Sequence, residues 1–168
     1  MNKKLIYLLA LVFSLGLGFT ACGDDDDDNP PANPDYAKEI AATYDGKLKI
    51  AQMEDIGELS NSIILSQVSE NKAKVALNEI IIPLGENISA TVKNISVNNI
   101  PVSKKDDIYT LAKTNEKIKV NLGDGQEDID ADVTVEGTVT GGKMNLTIKV
   151  VDVPVFPVLD ITFEGTKK

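Results

Sequence analysis

The sequence predicts an all-β fold: an antiparallel meander of about eight to nine strands that closes into a barrel or packs as a sandwich. A short helix or turn precedes the strands. Three observations lead there. Apolar and polar residues alternate with period two from Gly46 to the end. Tight-turn pairs, Glu70-Asn71 and Gly141-Gly142, separate successive runs. The runs recur at short spacing, with no long helical pattern between them.

The elements follow in order. DYAKEIAATY opens with an acid that suits a helix start, so a short helix or turn is expected near Asp35. Gly46, Leu48 and Ile50 alternate with Lys47 and Lys49. Ser62 to Ser69 reads SIILSQVS, Glu70-Asn71 turns the chain, and Lys72 to Ile82 returns with Ala73, Val75 and Leu77 on one face. Pro83 to Glu86 marks the next turn. Ile88, Ala90 and Val92 share a face, but Ile95 and Val97 have the opposite parity, so a bulge is expected near Lys93-Asn94. Ile108 to Ala112 and Lys117 to Leu122 read as two short strands.

The clearest hairpin is EDIDADVTVEGTVTGGKMNLTIKVV. Ile129, Ala131, Val133, Val135 and Val139 form its buried face, Gly141-Gly142 its two-residue turn. Met144, Leu146, Ile148 and Val150 continue that face, and Leu159, Ile161 and Phe163 close the set. Asp128, Asp130 and Asp132 project from the opposite face at i, i+2, i+4. A divalent cation site and a solvated outer face both fit that spacing, and the solvated face is the expectation. VVDVPVFPVL, Val150 to Leu159, reads as a connection or bulged edge because Pro154 and Pro157 interrupt pairing. Its Val153, Val155 and Phe156 are the candidate binding lip, or else a plug for the end of the core.

Residues 1–21 have another character. Lys3 and Lys4 precede an apolar run from Leu5 to Leu17, the pattern of a signal peptide, and the run is short for a membrane span. FTAC, Phe19 to Cys22, resembles a bacterial lipobox. That resemblance implies acylation of the Cys22 thiol and cleavage before it. Asp24, Asp25, Asp26, Asp27 and Asp28 then resemble the acidic export signal of surface lipoproteins in Gram-negative gut anaerobes. NPPANP, Asn29 to Pro34, is a semi-extended spacer. The expected organisation is a signal peptide over 1–21, a lipidated tether over 22–34 and one domain over 35–168, anchored in the outer membrane through Cys22 and facing the exterior.

Composition narrows the chemistry. The chain has no His, Arg or Trp, and Cys22 is its single cysteine. Ser-His-Asp and Cys-His centres, histidine zinc sites and guanidinium clamps are therefore excluded. No catalytic residue, cofactor or metal ligand is assigned, and a non-enzymatic protein is expected. Beyond residue 21 the chain carries 15 lysines against 26 acids, a formal charge of −11, which disfavours nucleic acid.

TYDGKLKI at the first strand, VKNISVNNIPV in the middle, and VEGTVTGGKMNLTIKV with ITFEGTKK at the end resemble the calycin-like (lipocalin-like) β-barrel lipoproteins of gut anaerobes. The resemblance spans Tyr44 to Lys168 and implies a calycin-like barrel and a surface location. Its motifs are structural. The expected role is a surface-exposed binding module for a small apolar ligand or a glycan. The alternative is a protein–protein interaction module (accessory subunit, adhesin or protease inhibitor) with a filled barrel and contacts from loops such as Ser103 to Asp107 or Val153 to Pro157. Ala73, Ala90 and Ala131 are the small residues that would leave room inside.

Overall fold

A computed structural model describes residues 34–85, 88–121, 127–153 and 156–168. The expected signal peptide, Cys22 and Asp24 to Asp28 lie outside the described residues. Helix α1, Tyr36–Ile40, is followed by strands β1 Ala42–Ile50, β2 Leu59–Ser69, β3 Lys72–Gly85 and β4 Ile88–Lys105. Strands β5 Ile108–Val120, β6 Ile129–Thr140, β7 Lys143–Val153 and β8 Phe156–Lys167 complete the chain. Each strand pairs antiparallel with the next, and β8 pairs with β1, so the sheet is a closed barrel.

Period two delivers the interior. Leu48, Ile63, Leu65, Val75, Val133, Val135, Ile148, Ile161 and Phe163 are buried, and one contiguous apolar cluster fills the barrel. Ala73 and Ala131 belong to that packed cluster, while Ala90 is half-buried.

Closure depends on two glycines. Gly46 and Gly165 face each other across β1 and β8. A Cβ on Gly46 would stand 2.1 Å from the Glu164 carbonyl oxygen. One on Gly165 would meet the Phe163 ring at 2.4 Å, because that ring lies over the bare backbone. Lys168 N–H donates to the Thr43 carbonyl at 3.0 Å just beyond the ladder.

Helix α1 stoppers the end that carries the β2–β3, β4–β5 and β6–β7 turns. Asp35 caps it by accepting from Lys38 N–H at 3.3 Å, and also accepts from Asn71 N–H at 3.1 Å. The Asn71 side chain accepts from Tyr36 N–H at 2.8 Å. From below, the buried Tyr44 hydroxyl donates to the Ile40 carbonyl at 2.8 Å. Burial pushes the Tyr44 phenol pKa up, which keeps the donor protonated.

Four sequence expectations are corrected. The two short strands at 108–112 and 117–122 are one strand, β5. Its register shifts between Leu111 and Thr114, and that bulge turns the buried face over without ending the strand. Pro83 lies within β3 opposite Ser89, and Pro157 lies within β8. Both are tolerated because β3 has lost its β2 ladder there and β8 has not yet met β1. The parity switch at Asn94 (φ 63°) leaves the β3–β4 register unchanged, because β3 changes face at the same level, between Leu77 and Ile80. The register shift lies further on: three β4 steps from Val97 to Ile100 oppose two on β3, with Asn99 at φ 55°.

Two seams are splayed. The β2–β3 ladder ends at Ile64↔Ala76. Beyond it the Asn61 side-chain amide donates to the Glu79 carbonyl at 2.8 Å. β4 and β5 pair from Val102↔Leu111 to Lys105↔Ile108 and again at the bridge Lys93↔Asn121. Between those, the Glu116 carboxylate accepts Asn98 N–H at 2.6 Å.

Gly46→Ala is expected to cost about 1–3 kcal/mol as an overpacking change against rigid backbone, read as a lower unfolding midpoint with strand content retained. Tyr44→Phe leaves the Ile40 carbonyl without its buried donor. Denaturant unfolding should show a loss of about 0.5–1.5 kcal/mol.

Candidate functional site

The connection between β1 and β2 folds back over the barrel wall and encloses a groove. Ala51 N–H continues the β1–β8 ladder by donating to the Asp160 carbonyl at 2.9 Å. Gln52 then clamps Asp160 from both sides. Its Nε2 donates to the carboxylate at 2.8 Å, and its Oε1 accepts Asp160 N–H at 3.0 Å. A 3₁₀ turn, Glu54–Ile56, follows, with Met53 and Ile56 packed on the core. Gly57, at φ 68° and ψ −146°, reverses the chain in a conformation that side chains rarely adopt. Glu58 comes back beside β1, where Lys49 Nζ meets its Oε1 at 2.9 Å.

The groove has a volume of about 440 Å³ and a mainly apolar lining. Thr147, Thr162 and Lys49 lie in register across β7, β8 and β1, so their side chains form one row on the outer face. Ala51, Glu54, Gly57 and Glu58 supply the loop side. Glu58 is held below the usual carboxylate range by its hydrogen bond to Lys49 and by that ammonium's charge, and Lys49 is raised by the same pair.

The arrangement can hold an apolar body against the wall while hydroxyls, one ammonium and the carboxylates meet its polar edge. Among the described residues no group of three or more His, Cys, Asp or Glu side chains is placed to hold a metal ion. Asp130 pairs with Lys119 at 3.0 Å and Asp132 with Lys117 at 3.7 Å, while Asp128 accepts from the Asn121 amide at 3.0 Å.

The groove does not coincide with the expected lip. Val153 ends β7 and is buried, its backbone opposite Phe156 at the start of β8. Val155 lies outside the described residues. Lip and groove belong to the same end of the barrel, since the β1–β2 and β7–β8 connections share it. Sequence reading missed Lys49, Glu58, Thr147, Asp160 and Thr162 because two regions far apart in sequence contribute them, β1 with its connection to β2 and the β7–β8 pair. Gly57 was the available signal, a glycine between Ile56 and Glu58 where the chain must turn.

A family model described as a calycin-like beta-barrel domain matches residues 40–166. No curated protein matches the chain. A crystal structure of a proposed outer membrane protein from Bacteroides fragilis NCTC 9343 is similar, with 14% identity and a TM-score of 0.48. The alignment covers 78% of this chain and 52% of that one, so the chain spans about half its length.

The Lys49–Glu58 clamp sets a pH expectation. Glu58 has a lowered pKa in the folded chain, so its contribution is full at neutral pH and is lost as pH falls below the ordinary glutamate range. Amide protection over residues 51–58 should drop there. Glu58→Gln should show the reduced protection already at neutral pH.

Proposed function

The chain belongs to the calycin-like β-barrel domain family, and from that premise we propose a non-enzymatic binding module, a lipoprotein displayed on the outer face of the outer membrane. Its ligand is a small apolar molecule, or a glycan presenting an apolar face, held in the groove under the β1–β2 connection. The observation that carries this reading is the groove itself. Its volume of about 440 Å³ falls in the range of small-molecule sites. It also stands on the end of the barrel opposite α1, where the chain arrives from Pro34.

The sequence supports the location. The lipobox ending in Cys22 and the run Asp24 to Asp28 supply an anchor and an export signal, and the spacer to Pro34 reaches about 20–40 Å. The non-enzymatic reading rests on the missing histidine and on a cysteine committed to acylation.

One observation favours a second reading, a protein–protein interaction module. The barrel interior is packed by its own side chains, while Ile64, Val68, Ile81 and Ile108 are exposed on the outside.

The two readings separate in one titration. With the full chain in lipid nanodiscs, the amide resonances of Thr147 and Thr162 should move saturably with 1-octanol or cellobiose. Thr162→Phe, which fills the groove, should abolish the response and leave the fold unchanged. Silence from both probes transfers the function to the outer surface and a protein partner.

A further inference from the structure

The opposite end of the barrel holds a second concavity of about 500 Å³, and its chemistry differs from that of the groove. Tyr36, Tyr44 and Tyr109 are the only tyrosines beyond residue 21, and the fold gathers all three there. The rings of Tyr36 and Tyr109 meet edge to face at 6.4 Å, and Lys104 Nζ stands 4.6 Å from the centre of the Tyr109 ring. The Tyr109 hydroxyl donates to Glu39, which also pairs with Lys104 at 3.3 Å. Tyr109 is therefore fixed in place before any ligand arrives.

Around that ring the wall is mixed, with Ile40, Tyr44 and Val139 supplying apolar surface and three uncommitted polar residues beside them. Asp107, Thr140 and Lys167 line the concavity, and among the described residues their side chains make no hydrogen bond or ion pair. Gly141 and Gly142, at φ 55° and 78°, form the β6–β7 turn and leave backbone bare between them. The site thus offers an aromatic ring, a free carboxylate, a free ammonium and a free hydroxyl.

We infer that this concavity is a second binding site, distinct from the groove, for the pyranose rings of a neutral oligosaccharide. A pyranose ring has an apolar face for the aromatic side chain and hydroxyls that both donate and accept, matching Asp107, Thr140 and Lys167. Anionic ligands would meet Asp107 and Glu39, on a domain where 15 lysines face 21 acids between residues 35 and 168. A purely apolar ligand would strip water from Asp107 and Lys167 without replacing it.

The absence of tryptophan supplies the assay. In the mature lipidated chain that begins at Cys22, in nanodiscs, the tyrosines are Tyr36, Tyr44 and Tyr109, all at this end, so tyrosine emission reports on it directly. The probes are maltohexaose, cellohexaose and an α-1,6-mannohexaose, with polygalacturonate as the anionic control. At least one neutral hexamer should change the emission saturably, and polygalacturonate should not. Asp107→Ala combined with Lys167→Ala, both exposed positions, should weaken that hexamer at least tenfold with an unchanged unfolding midpoint. Thr162→Phe in the groove should leave the affinity as it was. No saturable change with any of the three hexamers overturns the inference, as does binding that the double variant leaves intact. Hexamer binding that Thr162→Phe removes assigns the sugar to the groove and overturns the second site while sparing the first.

Discussion

The close approach of β8 to β1 at Gly46 and Gly165 is the constraint on which the rest of the barrel depends. A sheet of eight twisted strands has two edges, and only their union removes both. Here the union is so tight that neither glycine has space for a methyl group, and Phe163 lies over the bare backbone of Gly165 as the side chain that position lacks. Once β1 and β8 are joined, Lys49 and Thr162 stand opposite each other and Thr147 follows on β7. The row that lines the groove is thus a product of closure. Its residues sit on strands paired with one another across the row, Lys49 with Thr162 and Thr162 with Thr147, so the site is built on sheet and not on loop alone.

Filling the interior has its own effect. Aliphatic side chains from every strand meet across the barrel and α1 stoppers one end, so the contents of this barrel are its own side chains. The concavities of the molecule then lie on the surfaces around it. The two ends differ in kind. One has a loop laid over a mainly apolar wall, and the other a tyrosine cluster with free polar groups beside it. A chain without histidine, arginine or tryptophan still assembles two concavities of different chemistry, because closure brings together residues from β1, β5, β6, β7 and β8.

Much of the fold was legible in the sequence, for a simple reason. Where a strand has one wet face and one dry face, period two cannot slip without exposing the core, as Val133, Val135 and Val139 against Met144, Leu146 and Ile148 illustrate. The turn at Gly141-Gly142 and the helix cap at Asp35 were equally readable. Bulges were harder. One strand around Leu111 to Thr114 read as two short ones, and the change of parity at Asn94 read as a bulge. The structure shows a bulge at the first and matched face changes on both partners at the second. Proline misled because its meaning depends on which neighbours a strand has, and pairing partners are not written in the local sequence. The groove was illegible for the same reason, since nothing near Lys49 announces Thr147 or Thr162.

The splayed seams make the wall unequal in strength. The outer half of the β3–β4 hairpin is laddered to itself, yet it is tied to β2 by the Asn61 amide and to β5 by the Lys93–Asn121 bridge and the Glu116 carboxylate. Cooperative units with few backbone bonds to their neighbours open at lower free energy than the whole molecule. The barrel is therefore a rigid arc from β6 through β1 with a looser leaf beside it. Such a leaf, when it lifts, uncovers Ile80, Ile82 and Val92 before the arc that bears the groove gives way.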